Sequence, residues 1–149
     1  MRFNWTRAIA LTVVCCAGSV SMGQVSSNVT VLVVTDLGDI TVAIDTEYAP
    51  QTAANFLRYV DAGAYDDGQF HRTVTMQNQP NNDVRIEVIQ ASVNSGRSEE
   101  SFDPIQLERT SVTGLRHIDG AISMARGGPD TATSSFFFCI GNQPSLDFG

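Results

Sequence analysis

The chain has 149 residues, with nine arginines, no lysine and sixteen aspartates and glutamates, so its formal net charge is −7 at pH 7. This acidic balance, without a basic cluster, argues against nucleic acid or an anionic membrane as a partner. Two of its three cysteines lie in an N-terminal apolar run, which excludes a disulfide framework, and the chain shows no internal repeat.

The first 23 residues differ in composition from the rest. Arg2 and Arg7 precede an apolar run, Ala8–Val20, and small residues follow, a pattern typical of a secretory signal peptide. The run is shorter than the roughly 20 apolar residues of a membrane-spanning helix, which disfavours the alternative of a permanent anchor. We predict a signal peptide at 1–23 and a domain at 24–149. The product is expected in a bacterial periplasm or secreted, without a membrane partner after cleavage.

The predicted mature chain keeps 126 residues, which is one domain with a single hydrophobic core. Seven arginines against sixteen carboxylates give it a net charge of −9. Its one cysteine, Cys139, lies between Phe138 and Ile140, which favours a buried apolar side chain over a reactive thiol.

Two β-branched, apolar segments open the domain. Val29–Thr35 and Ile40–Ile44 flank the turn Asp36–Asp39 and predict a β-hairpin. Pro50 then begins a helix over Gln51–Ala62, where apolar side chains recur at helical spacing and a glycine follows the last turn. We expect this amphipathic helix to pack on a sheet.

The remaining elements are short strands separated by polar loops. The predicted strands are Phe70–Met76, Val84–Gln90, Gly120–Ala125 and Ser135–Ile140. Turn-forming residues over Gln77–Asp83 separate the first two of these strands. A series of short strands with one early helix indicates a mainly β protein, an antiparallel barrel or sandwich.

Most familiar catalytic patterns are missing from the sequence. His71 and His117 have no Cys, Asp or Glu at metal-ligand spacing, so no metal site is predicted. There is no Gly-x-Ser-x-Gly elbow and no glycine-rich phosphate loop. Asp147–Gly149 matches a kinase triplet, but the rest of the kinase signature is missing.

Five short motifs occur in an order that resembles the cyclophilins, a family of peptidyl-prolyl cis-trans isomerases. They are Phe70-His71-Arg72, Val88-Ile89-Gln90, Ser123–Pro129, Ser134–Phe138 and Leu146-Asp147. The likeness runs from about Val29 to Gly149 and includes the hairpin and the first helix. It implies a cyclophilin-like closed antiparallel β-barrel with a flanking helix, and a site that needs no metal and no organic cofactor.

The resemblance also implies roles for eight positions. Arg72 matches the family's catalytic arginine, and Gln90 matches the glutamine that binds the substrate backbone. The other matched substrate-binding positions are Val88, Ala125, Arg126, Gly127, Phe137 and Leu146. Since neighbouring strand residues face opposite sides, only one of Phe136 and Phe137 can face the groove, and we predict Phe137. Without the resemblance, Arg72 would be interpreted as a surface arginine paired with a carboxylate.

Prolyl isomerisation fits an arginine better than a histidine. The reaction needs no nucleophile, because catalysis requires only an environment that favours the twisted amide. A guanidinium can donate hydrogen bonds to that amide without changing its protonation state. The predicted function is therefore isomerisation of Xaa-Pro bonds in proline-containing polypeptides during folding of exported proteins, by a monomer. The alternatives are a non-catalytic proline-peptide-binding module or holdase on the same fold, and an interaction domain with an unrelated sandwich fold.

The chain departs from the family pattern in three places. Arg72 and Gln90 are eighteen residues apart, farther than the family's pair, which predicts an insertion within Gln77–Arg85. Counting from the two motifs puts Glu87 or Gln77 where the family has a pocket phenylalanine. The family continues beyond Leu-Asp with further strands and a C-terminal helix. We therefore expect this chain to be a fragment of a longer reading frame.

Overall fold

The computed structural model describes residues 2–7, 29–80, 83–97 and 101–147, with only the backbone for 2–7. The strands are β1 (Arg2–Arg7), β2 (Val29–Thr35), β3 (Ile40–Ile44), β4 (Gly68–Val74), β5 (Val88–Ser92), β6 (Ile122–Met124) and β7 (Phe136–Cys139). The helices are α1 (Pro50–Asp61) and the short α2 (Thr110–Thr113), with 3-10 turns at Ser95–Arg97 and Pro144–Leu146. The predicted mainly β architecture is confirmed. Within the described ranges no helix is long and apolar enough to cross a membrane.

The described strands form one antiparallel sheet in the order β3-β2-β1-β4-β5-β7-β6. The predicted hairpin is confirmed, because β2 and β3 pair continuously from Val29↔Ile44 to Val33↔Ile40. In its turn, Gly38 has a φ of 129°, a conformation that side chains rarely adopt. The glycine therefore allows the tight reversal between the two strands.

Strand β1 joins the two halves of the sheet. It pairs with β2 at five positions, and with β4 at Arg2↔Gln69 and Phe3↔Gly68. These residues fall within the predicted signal peptide, whose apolar run and cleavage point lie outside the described residues. Removal of residues 1–23 stays a prediction, and it would take away the strand between β2 and β4.

The two ends of the sheet approach each other across a cavity of about 540 Å³. Ile40–Ala43 of β3 line one side, and Ile122 of β6 with Phe138 of β7 line the other. In the part of the chain that the structure describes, no ladder joins β3 to β6. The sheet is thus curved as in a barrel, with β3 and β6 as its end strands.

Helix α1 packs its apolar face on the sheet. The buried Phe56 ring meets Phe136 of β7 edge-on, with ring centroids 5.5 Å apart. Tyr65, just after the helix, meets Phe136 in the same way at 5.2 Å and donates its hydroxyl to Ser134 O at 2.7 Å. Burial raises the pKa of Tyr65. Because Phe136 fills this core, its neighbour Phe137 lies on the opposite face of β7.

Strand β5 is shorter than the sequence predicted. The alternating residues Val84–Gln90 indicated a strand over the whole segment, but β5 begins only at Val88. Upstream of it, the Ile86 N–H donates to the Gln79 side chain at 3.0 Å, and the Glu87 N–H donates to the Gln143 side chain at 3.0 Å. Side chains thus bind the N–H groups of this segment, while the Glu87 carbonyl still accepts the backbone N–H of Ile140 at 2.9 Å. The other predicted elements are confirmed within two residues of their bounds, namely 51–62, 70–76, 120–125 and 135–140.

Candidate active site

A β-bulge sets the position of Arg72. Strands β4 and β5 pair Phe70 with Ala91 and then Arg72 with Gln90, so His71 is one extra residue on β4. A bulge bends its strand and redirects the side chains that follow. Arg72 and Gln90 consequently lie opposite each other, and Arg72 Nη1 donates to Gln90 Oε1 at 3.0 Å. The guanidinium is therefore held by the side chain that the resemblance assigned to the substrate backbone.

Four side chains form a cross-sheet row. Arg72 of β4 pairs with Gln90 of β5, Gln90 with Phe137 of β7, and Phe137 with Ser123 of β6. Directly opposed residues of neighbouring strands share one face of a sheet. With strands about 4.8 Å apart, the row spans about 14 Å. A cation, an amide, an aromatic ring and a hydroxyl therefore follow one another on one face.

The cross-sheet row lines an open cavity of about 400 Å³. Seven of the eight predicted site positions lie on it, because the row's Arg72, Gln90 and Phe137 are joined by Val88, Ala125, Arg126 and Leu146. The eighth, Gly127, is exposed in the loop after β6, where its N–H donates to Thr131 Oγ1 at 3.2 Å. The structure thus brings the predicted residues to one place, with Gly127 beside the cavity wall rather than in it.

A hydrogen-bonded chain runs from Asp147 through His117 to Ser123. His117 Nδ1 lies 2.9 Å from Asp147 Oδ1, and its Nε2 lies 3.1 Å from Ser123 Oγ. The same carboxylate oxygen accepts the His117 backbone N–H at 3.0 Å. The imidazole stacks on Phe137, with ring centroids 6.0 Å apart and planes at 13°. The sequence singled out His117 only as an isolated histidine, since Asp147 lies 30 residues away and a serine six residues away carries no recognisable signal.

The bonds from His117 explain the electrostatic state of Asp147. The backbone N–H, and then the imidazole, hold the pKa of Asp147 below its usual range, so the carboxylate is charged at neutral pH. Asp, His and Ser in this order also occur in serine hydrolases, where the serine attacks a carbonyl. Here the imidazole is nearly parallel to the Phe137 ring, with centroids 6.0 Å apart, and we interpret the chain as the support of the cavity's aromatic wall.

Another part of the wall comes from the segment 103–116. The Ile105 N–H donates to Ala132 O at 3.0 Å, and the Leu107 N–H donates to Asp130 Oδ1 at 2.8 Å. Glu108 accepts bonds from two backbone N–H groups in the first turn of α1. Three independent anchors therefore fix this segment at the cavity although it contains no strand of the sheet.

Ile86 is a cavity residue that the sequence did not single out. It lines the cavity, whereas Glu87 and Gln77, the two positions that counting suggested for a pocket aromatic, do not. The carboxamide of Gln79 holds Ile86 through both backbone groups, accepting from its N–H at 3.0 Å and donating to its carbonyl at 2.9 Å. The alternation of apolar and polar residues before β5 was the sequence pattern from which Ile86 could have been identified.

The site combines hydrogen-bond donors with an apolar wall. Arg72 and Gln90 supply the polar groups, Phe137 and Leu146 supply apolar surface, and Val88 borders the cavity as a buried residue. In the described ranges, no group of three His, Cys, Asp or Glu side chains could hold a metal ion. Fold and site together define a barrel-like antiparallel sheet with a peptide-sized groove that carries a fixed arginine.

Comparisons with known proteins agree on one family. The family model described as cyclophilin type peptidyl-prolyl cis-trans isomerase/CLD matches residues 30–149. Peptidyl-prolyl cis-trans isomerase A of Dickeya dadantii is 32% identical over 120 residues, covering 80% of this chain and 58% of that protein. Peptidyl-prolyl cis-trans isomerase-like 1 of Neurospora crassa is 34% identical over 120 residues (78% and 68%), and isomerase-like 3 of Mus musculus is 32% identical over 114 residues (76% and 66%).

The chain belongs to the cyclophilin-type peptidyl-prolyl cis-trans isomerase family, so the resemblance noted from the motifs is confirmed. It spans between 58% and 68% of the length of these three relatives.

Proposed function

We propose that this protein accelerates cis-trans isomerisation of Xaa-Pro bonds in polypeptides bound in the cavity. The observation that carries the proposal is the placement of Arg72, hydrogen-bonded to Gln90 at 3.0 Å, on the same sheet face as Phe137. Membership of the cyclophilin-type family supports it. Prolyl bonds isomerise slowly because amide resonance opposes rotation, with a barrier of about 18–20 kcal/mol.

The proposed role of Arg72 follows from the chemistry of the twisted amide. Rotation breaks the resonance, and the prolyl nitrogen regains a lone pair that can accept a hydrogen bond. The guanidinium keeps its charge at every physiological pH and can donate to this nitrogen without proton transfer. An interaction made only in the transition state lowers the barrier, and each 1.4 kcal/mol or so gives about a tenfold faster rate.

The neighbouring residues hold the substrate. Phe137 and Leu146 offer apolar surface for the prolyl ring, and the buried Val88 lies beneath the cavity wall. The amide NH2 of Gln90, which has no partner among the described residues, is left for the peptide backbone while its carbonyl oxygen holds Arg72. The stack of His117 on Phe137 keeps the aromatic wall in place. Binding and barrier reduction are thus assigned to different side chains of the same cavity.

The reaction is best tested by exchange NMR on proline peptides, because that measurement needs no coupling protease. Arg72→Ala is expected to lower kcat/KM by about 100- to 1,000-fold, the usual effect of removing a preorganised donor. Arg72→Lys keeps the charge but loses the planar fork, so it should restore only part of the rate. Circular dichroism should show that both variants keep the wild-type fold.

The same measurement separates the alternative function. If wild type and Arg72→Ala bind the peptide and isomerise it at the same rate, the cavity belongs to a non-catalytic proline-peptide-binding module or holdase. Catalysis by this groove is then excluded.

We propose further that the protein acts on proteins folding outside the cytoplasm, in a periplasm or after secretion. The support is the composition of residues 1–23, with two arginines ahead of an apolar run. N-terminal sequencing of the protein recovered from cell fractions checks this, with a start at Gln24 as the expected result. Recovery of an uncleaved chain from the cytoplasm would contradict it.

A further inference from the structure

The charged side chains at the cavity differ in sign from the protein as a whole. The chain has a net charge of −7, yet four arginines line the cavity: Arg72, Arg109, Arg116 and Arg126. All four side chains are exposed. They come from β4, from both ends of the segment around α2 and from the loop after β6, so they border the cavity from several sides. We call these four residues the arginine rim.

The carboxylates near the arginine rim are already engaged. Glu108 and Asp130 line the cavity, but Glu108 accepts two backbone N–H groups of α1, and Asp130 accepts the Leu107 N–H at 2.8 Å. Asp147 lies close enough for Arg116 to help lower its pKa, while its Oδ1 accepts from the backbone and the ring of His117. These three charges leave the rim with an excess of one positive charge.

The rim arginines lack ion-pair partners among the residues that the structure describes. Asp147 is hydrogen-bonded to His117, and none of the four arginines lies within 4.0 Å of a described carboxylate. Arg72 donates to the neutral Gln90. Guanidinium groups bind carboxylates through paired N–H donors, so four such groups around a peptide groove form a receptor for acidic side chains.

We propose that the cavity selects proline peptides that carry Asp or Glu close to the proline, with Arg109 and Arg116 as specificity-determining residues. This inference rests on the proposed function and names its substrate class. Each carboxylate placed at the rim exchanges water for a charge-assisted contact at a solvent-exposed site. Such an exposed pair is worth about a two- to fivefold gain in binding, and the gain falls as salt screens the charges. The acidic remainder of the surface repels the same peptides elsewhere.

The test uses three peptides that are identical except for Glu, Gln or Lys at the positions flanking the proline. Exchange NMR gives kcat/KM at 20 mM and 500 mM NaCl for the wild type and for Arg109→Gln, Arg116→Gln and the double variant. Arg85→Gln is the matched control, because Arg85 carries the same charge on the insertion but does not line the cavity. Glu and Gln have nearly the same shape, so their ratio isolates the charge.

The wild type should prefer the Glu peptide over the Gln peptide by about two- to fivefold at low salt, through KM rather than kcat, and by less than twofold at high salt. Each rim variant should lower this ratio, and the double variant should abolish it, while Arg85→Gln leaves it unchanged. Equal rates for Glu and Gln peptides in the wild type overturn the inference. So does a loss of preference in Arg85→Gln as large as that in Arg116→Gln.

The outcomes also separate this inference from the proposed function. Isomerisation of all three peptides without a preference removes the inference and keeps the function. If no peptide is isomerised, titration of the same peptides by NMR measures the preference in binding, which the rim predicts without catalysis. If the wild type neither binds nor isomerises any peptide, both proposals are wrong.

Discussion

Replacing Glu108 by alanine should destabilise the protein by about 1–2 kcal/mol, because it removes the N-terminal cap of α1. Pro50 occupies the first position of that helix, and no side chain caps it from its own N-terminus. The exposed donors are instead bound by Glu108, with Oε1 3.0 Å from Gln51 N and Oε2 2.7 Å from Thr52 N. The negative charge also lies at the positive end of the helix dipole. Water can replace part of these bonds, which keeps the expected loss moderate.

Urea denaturation followed by circular dichroism measures this loss. Glu108→Gln keeps one acceptor oxygen without the charge and should fall between wild type and Glu108→Ala. Glu47→Ala is the matched control, since it removes an exposed carboxylate near the same helix start that takes no part in those two bonds. The midpoint of the wild type should exceed that of Glu108→Ala and equal that of Glu47→Ala. If Glu108→Ala and Glu47→Ala unfold alike, the distant cap contributes nothing, and the reasoning is refuted.

Three further predictions concern other contacts. Gln79→Ala should release Ile86 from the cavity wall and raise KM by about two- to fivefold at unchanged kcat, because it weakens binding of substrate and transition state equally. Val84→Ala, at an exposed position, is the control and should leave KM unchanged. As pH falls below about 4, the wild type should lose stability relative to Asp147→Asn. Folding lowers the pKa of Asp147, so the charged carboxylate stabilises the fold at higher pH, and protonation removes this stabilisation at lower pH. Urea melts check this at pH 2.5 and 6, with a pH-independent difference as the contrary result. A chain that begins at Gln24 should be less stable in urea than the full chain, because it lacks the five residue pairs of β1 with β2 and the two with β4, of which alternate pairs are hydrogen-bonded. Identical melts would show that β1 adds no stability.

Local patterns predicted the elements well. The hairpin and the helix needed only β-branched runs, a turn and helical spacing, and both lie within a residue of their predicted bounds. The prediction was wrong at the start of β5, where alternation continued beyond the ladder. Periodicity reports which side of the chain is apolar, but not whether a neighbouring strand is present to pair with it.

The site was predicted as a set of positions rather than as an arrangement. Motif order pointed to Arg72, Gln90 and Phe137, and the structure places them side by side in one row. The bulge at His71 that aligns Arg72 with Gln90 left no mark in the motif itself. The arginine rim was equally hidden, because four arginines scattered over 55 positions of the sequence read as ordinary surface residues.

The sequence by itself predicted the class of fold, the early helix and the acidic balance of the chain, and through the resemblance it pointed to Arg72. Tertiary structure alone decided the support of Phe137 by Asp147 and His117, the capping of α1 by Glu108 and the hydrogen bond from Glu87, just before β5, to Gln143. The physical reason is the range of the interactions. Backbone propensity and apolar periodicity depend on residues close together in the chain, so short stretches of sequence are enough to recognise them. Hydrogen bonds from a side chain to a partner 30 to 57 residues away follow no period in the sequence, and only the folded chain brings the two groups together.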